Sequence, residues 1–329
     1  MAAITQSQTS RPAQSSRLMG WLSQELILAV IIVALMTVVG LSYERFRAPN
    51  NLWDIFQSNA YIAVAAVGMS ILIVSGNIDI SVGSLVGVLA ILSGTLVTSG
   101  VPAWLAWLIP ILVGALVGAI NGFFVAYLRI PSIVVTLGML SILKGGLIIV
   151  LGGTTIYNMP PEFFLAQQTW LGVPSPVALM IVITIGAALW MRYSSMGRSL
   201  YAVGGNADAA RLSGINAQRV VFNAFIINGV MVGICSVMYA TQFNSIQASV
   251  PVGLELQVIT SAVVGGVSIL GGTGTVIGST LATVLLSAIR SAMIFIGVSP
   301  YWLRAVQGVL ILITVLVDIL RRRRVNQSR

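Results

Sequence analysis

Long apolar runs separated by short polar breaks organise this sequence from residue 24 onward. Segments of spanning length fall at 24–42, 56–74, 81–98, 103–128, 132–151, 176–191, 220–241, 256–270, 275–297 and 302–320. About 20 apolar residues cross the hydrocarbon core of a bilayer, so each reads as a transmembrane helix. The pattern predicts an all-α, polytopic membrane protein with ten spans. A polar tail, 1–23, precedes the transmembrane domain, 24–320, and a basic tail, 321–329, follows it. The first run is too long for a signal-peptide core and lacks a small-residue cleavage site, so it is read as a retained helix.

The basic residues give this pattern a direction. With ten spans both termini share one side, along with the loops at 75–80, 129–131, 192–219 and 271–274. Twelve of the seventeen Lys and Arg residues then lie together: Arg11, Arg17, Arg129, Arg192, Arg198, Arg211, Arg219, Arg321, Arg322, Arg323, Arg324 and Arg329. The opposite side keeps Arg45, Arg47 and Arg304. Positive residues mark the cytoplasm, which places both termini and the 192–219 loop there. An odd number of spans would separate the two basic ends. Lys144 and Arg290 fall inside apolar segments, where a charge faces a bundle interior or wet cavity, or else snorkels to an interface.

Composition narrows the chemistry. The chain is 57% hydrophobic and 8% charged, against about 25% charged in a soluble domain. Its net charge of +9 sits at the ends of apolar runs and makes no face for nucleic acid. Histidine is absent and Cys235 is the only cysteine, which excludes disulfides, thiolate–metal sites and His-based catalysis. An aspartyl protease needs two embedded aspartates, and only Asp79 and Asp318 lie at or within helix ends. Residues 265–278, GGVSILGGTGTVIG, lack the lysine of a phosphate loop and miss the dinucleotide fingerprint by one residue. The expectation is a protein that is not an enzyme, holds no metal and binds no ATP itself.

Two polar stretches remain. SGNIDISVGS, 75–84, interrupts a long apolar region with Asn77, Asp79 and Ser81. Such a break serves as a pathway or gate element where protein or water satisfies it. Equally, it serves as a short cytoplasmic turn in which Asp79 caps the next helix. The second is GRSLYAVGGNADAARLSGINAQRV, 197–220. Asn206 suits an N-cap, Asp208 the first turn, Arg211 the last and Gly214 a C′ position, which predicts a two-turn helix over 207–213. So short a helix is marginal alone, so either it docks on something or the whole stretch is a solvated connector. Ala209, Ala210 and Leu212 are small or apolar and fit insertion into a groove; Ser213 closes the helix.

With those residues in view, the chain resembles the permeases of bacterial sugar-type ABC importers, the ribose/xylose/rhamnose/autoinducer-2 group. GRSLYAVGGNADAARLSGI looks like that family's cytoplasmic coupling-loop signature, and SGNIDISVGS like its G-x-I-D-[LI]-S-V-G motif. GGVSILGGTGTVIGS and NGFFVAYLRIPSIVVTLGML are similar to two further family segments, and the four keep the family's order over most of 70–285. Asn77 departs from the glycine of many members, though autoinducer-2 permeases carry Asn there, which leaves the sugar open. The resemblance implies an inner-membrane subunit of an ATP-driven importer for a small neutral sugar or sugar-like molecule. Its implied partners are an ABC ATPase that binds ATP and Mg, a periplasmic binding protein, a second permease subunit and membrane lipid. The helix spanning Asn206, Asp208, Ala209, Ala210, Arg211, Leu212, Ser213 and Gly214 would couple the ATPase to the pathway. The alternative is an ion-driven secondary transporter, whose ionisable candidates are only Asp79, Lys144 and Arg290.

Overall fold

A computed structural model describes residues 24–151, 155–247 and 253–327. Arg11, Arg17 and Arg329 lie outside them. The described chain is mostly helical. In order, the helices are α1 (Gln24–Ser42), α2 (Pro49–Gln57), α3 (Ala60–Val74), α4 (Val82–Thr98), α5 (Ala103–Ala126), α6 (Ser132–Leu151), α7 (Ser175–Tyr193), α8 (Ser195–Gly205), α9 (Ala207–Leu212), α10 (Ala217–Ala240), α11 (Leu254–Val264), α12 (Val276–Ile296) and α13 (Trp302–Gln327). A two-stranded ribbon pairs Thr169–Trp170 with Val173–Pro174 ahead of α7.

Among the described residues, seven helical stretches are long and apolar enough to cross a membrane, and three shorter apolar helices accompany them: Val82–Thr98, Leu254–Val264 and Trp302–Leu316. Every apolar segment read from the sequence contains a helix, but several bounds move. The 56–74 segment begins earlier, at Pro49, with a break between α2 and α3 at Ser58 and Asn59. The 256–270 segment is helical only to Val264. Gly266, Gly271, Gly272 and Gly274 adopt positive φ beyond it, a conformation that ends a helix. The 192–219 loop holds two helices where the sequence pattern marked one. Residues 321–324 continue the backbone of α13.

The centre of the molecule is α3. Residues Ile62 to Val74 are all buried, as expected of a helix that is apolar on every side. Around it sit α10, α11, α12 and α7, and α10 in turn packs most extensively on α5. That second contact is made by glycine. A Cβ on Gly229 would overlap the Gly114 carbonyl, one on Gly118 the Phe225 carbonyl, and one on Gly233 would sit 2.6 Å from the Ile111 Cα. With no hydrophobic effect between helices in lipid, such backbone proximity is what holds spans together.

The α5–α10 seam therefore has no room for a side chain. Gly229→Leu is expected to cost at least about 1–3 kcal/mol and to lower the unfolding midpoint of the detergent-purified protein by several degrees. Gly186→Ala, on an open face of α7 with nothing near its missing Cβ, is expected to leave it unchanged. Equal midpoints for Gly229→Leu and the parent would mean the seam is not closely packed.

Candidate functional site

The interruption between α3 and α4 begins as a helix end. Gly76 at φ 86° lets the chain turn, and the Gly76 and Asn77 amides donate back to Ile73 and Leu72 carbonyls at 2.8 and 3.3 Å. The chain then folds around Asp79, which is 1% exposed. Its Oδ1 accepts the Ser81 amide at 2.9 Å and the Ser81 hydroxyl at 2.5 Å. Its Oδ2 accepts from Nδ2 of Asn228, in the middle of α10, at 3.0 Å. Asn121, near the end of α5, donates to Ser81 Oγ at 3.3 Å. A buried carboxylate is costly unless donors converge on it, and here they come from its own turn and from α10. Asp79 does not cap α4, whose N-cap is Ser81; it orders the turn before that helix and ties it to α10. The Ile78 amide also donates to Ser132 Oγ at the start of α6, at 3.3 Å.

The 195–215 stretch lies against the same turn. Ser194 caps α8 by accepting the Gly197 amide at 2.8 Å. Leu200 and Val203, three apart on one face, enter the main core. Asn206 ends α8 and starts α9, its side chain accepting the Ala209 amide at 2.9 Å. Gly214 adopts φ 83°, and the Gly214 and Ile215 amides donate to the Arg211 and Ala210 carbonyls. The caps sit where the sequence pattern puts them. The exposed face is different, however: Ala210 is 4% exposed and packs into the chain's own core, whereas Ala209 is exposed and Leu212 is 91% exposed. Ala210 therefore anchors α9, and Leu212 is the side chain it presents.

Three backbones meet where α3 ends. The Val74 carbonyl accepts the Gly272 amide at 2.9 Å. A Cβ at Gly204 would overlap that same carbonyl, one at Gly271 would sit 3.0 Å from the Gly76 Cα, and one at Gly272 2.6 Å from the Gly205 Cα. Tyr201 hydroxyl closes the group with a 2.8 Å bond to the Gly274 carbonyl. Beside this junction opens a cavity of about 610 Å³, lined among others by Asn77, Arg129, Asp208, Arg211, Gly214 and Asn216.

The structure thus brings Asn77 together with Asp208, Arg211 and Gly214 around this cavity, whereas Asp79 and Ser81 turn toward Asn228 and Asn121. Lys144 and Arg290 are elsewhere. Lys144 is exposed on α6; Arg290 is half-buried beside a small internal cavity with Asn59, Gln257, Ser261 and Gln307. Sequence reading missed Asn121, Asn228, Ser132, Tyr201 and Gly204. Asn228 did carry a signal, an amide at the middle of an apolar helix, which usually marks a buried polar contact.

Comparison with known proteins follows the same segments. The model of the family described as "Branched-chain amino acid transport system / permease component" matches residues 51–315. An autoinducer 2 import system permease protein of Photorhabdus luminescens is 30% identical over 298 residues, 90% of each chain. Its counterpart in Yersinia enterocolitica is 35% identical over 287 residues, 87% of this chain and 79% of that one. The one in Escherichia coli is 31% identical over 297 residues, 90% and 87%. No solved structure matches the chain.

Filling the junction tests its role directly. Gly204→Ala is expected to introduce about 1–3 kcal/mol of strain. Hydrogen–deuterium exchange over 195–215 should then rise roughly tenfold or more, with α5 and α10 unchanged. Parental exchange over 195–215 would show that Gly204 does not hold α8 in place.

Proposed function

The chain belongs to the permease-component family of such transport systems, and from that premise we propose how it works: as the transmembrane subunit of an ATP-driven importer for a small neutral, hydroxylated solute of the sugar or autoinducer-2 type. The observation that carries this reading is the meeting of the polar turn, the glycine loop and the capped α8–α9 pair at one end of the bundle. A helix pair that buries Leu200, Val203 and Ala210 but leaves Leu212 bare is built as a projection for another protein. A soluble ATPase docking there would push on α9. The push would pass through the Gly204–Val74 contact to the α3–α4 turn and, by way of Asp79, to the α5–α10 seam, as a rigid-body switch requires.

In this reading the seven long spans and the three shorter apolar helices together make ten crossings of the bacterial inner membrane, with both termini and α8–α9 cytoplasmic. The transmembrane domain is then 24–320, between a polar 1–23 tail and a basic 321–329 end. ATP and Mg belong to the ATPase; a periplasmic binding protein supplies selectivity, and a second permease subunit completes the pathway. The solute class follows from the relatives' names and from a chain whose polar positions are mostly Ser, Thr, Asn and Gly. Such groups pass a hydroxylated molecule through transient hydrogen bonds, whereas a cation would need carboxylates on the wall.

Three outcomes test the proposal. Uptake of autoinducer 2 or a neutral pentose should stop when ATP is depleted and persist when an uncoupler collapses the proton gradient at constant ATP. Loss of uptake with the uncoupler alone would replace this reading with the ion-driven one. Leu212→Glu should abolish uptake and ATPase copurification while insertion stays normal, because a charge entering an apolar groove is costly; full uptake would mean α9 does not dock. In a Cys235→Ala background, a cysteine replacing Asn206 should be shielded from an impermeant thiol reagent in intact cells, and one replacing Gln167 should react. Labelling at 206 would overturn the assigned topology.

A further inference from the structure

The bundle leaves one charge in an unexpected place. α6 is 20 residues long, so it spans about 30 Å, the thickness of the hydrocarbon core. Lys144 lies twelve residues from its start and seven from its end, about 18 Å and 10 Å along the axis. Its stem reaches roughly 6 Å, short of either boundary for an upright helix. Yet α6 is the least covered of the seven long spans: 11% of the Ser132–Ile149 stretch is buried, and Lys144 itself is exposed. The helices that pack most on α6 are α4 and α5, and neither carries an Asp or Glu. Arg290 makes the contrast, since it is half-buried and lines a small cavity within the chain beside Asn59, Gln257 and Gln307.

Hydrocarbon does not tolerate an unpaired ammonium at this depth at low cost. Resting on the importer reading above, we propose that Lys144 lines the aqueous translocation path, whose far wall is the second permease subunit, and that its ammonium donates hydrogen bonds to the hydroxyl groups of the passing solute. An ammonium has three donors and no acceptor, which suits a neutral polyol and gives a flexible, non-retaining contact. The lipid-facing alternative assigns the same face to acyl chains, with the lysine bent toward the headgroups.

A cysteine separates the two because it is too short to snorkel. In cells that also make the ATPase and the binding protein, and in a Cys235→Ala background, Lys144→Cys should react with an impermeant thiol reagent, and added substrate should slow that reaction several-fold. Ile142→Cys, on an exposed position of the same helix (68%), should stay unreactive. If Lys144→Cys is as unreactive as Ile142→Cys, the face is lipid-covered and the proposal fails. Lys144→Leu should reduce uptake at least tenfold with ATPase copurification intact, and Lys144→Gln, which keeps a donor, should recover part of the rate. Parental uptake in Lys144→Leu also overturns the proposal. Neither readout bears on what energises transport, so the uncoupler experiment can fail while this one succeeds.

Discussion

The carbonyl of Val74 is the last acceptor of a helix buried on every side, and its partner comes from across the fold. The last carbonyls of any helix need donors from outside it, and inside a membrane protein water is not always there to supply them. Here the Gly272 amide does so at 2.9 Å, with Gly204 lying against the same atom. The contact is possible only because three chain segments lack side chains where they cross. From it follow the docking of α8, the height at which α9 is held and the shape of the adjoining cavity.

Asp79 extends that constraint into the membrane domain. Its carboxylate collects donors from Ser81 and Asn228, and Asn121 joins through Ser81. The turn between α3 and α4 is therefore fixed at one end by the glycine junction and at the other by the α5–α10 seam. Hydrogen bonds to a buried charge are worth about 1.5–3 kcal/mol each, more than exposed contacts of α9 could supply. A displacement of the α8–α9 pair thus has a continuous, stiff route to the spans. The lysine on α6 lies outside this route, on a face the bundle leaves bare.

Much of this was legible beforehand because membrane helices and caps obey local rules. Apolar run length located a helix in each of the ten segments, though not α8, and Asn206, Asp208, Arg211 and Gly214 marked both ends of α9 from residue type alone. What local rules do not carry is which side of a two-turn helix meets its neighbours, so Ala210 was grouped with Leu212 although one is buried and the other bare. The glycine-rich 256–270 segment misled for a related reason: hydropathy does not register the backbone, and Gly265 and Gly266 end the helix without adding polarity. Asn121 and Asn228 were passed over because their partners, Ser81 and Asp79, lie 40 and 149 residues away in sequence. Gly204 was invisible, since a glycine chosen for close approach looks like any other in a chain with 33 of them.

The central claim is that α8–α9, the α3–α4 turn and the 265–275 loop move as one body. Spin labels on cysteines replacing Leu212 and Leu270, both exposed, test it in the assembled complex with Cys235→Ala. The account predicts that their separation stays within about 2 Å between the nucleotide-free and ATP-trapped states, the scale of ordinary helix shifts. A change of about 5 Å, one helical turn, would mean that α9 moves independently of the glycine loop, and the junction would not be what transmits the motion.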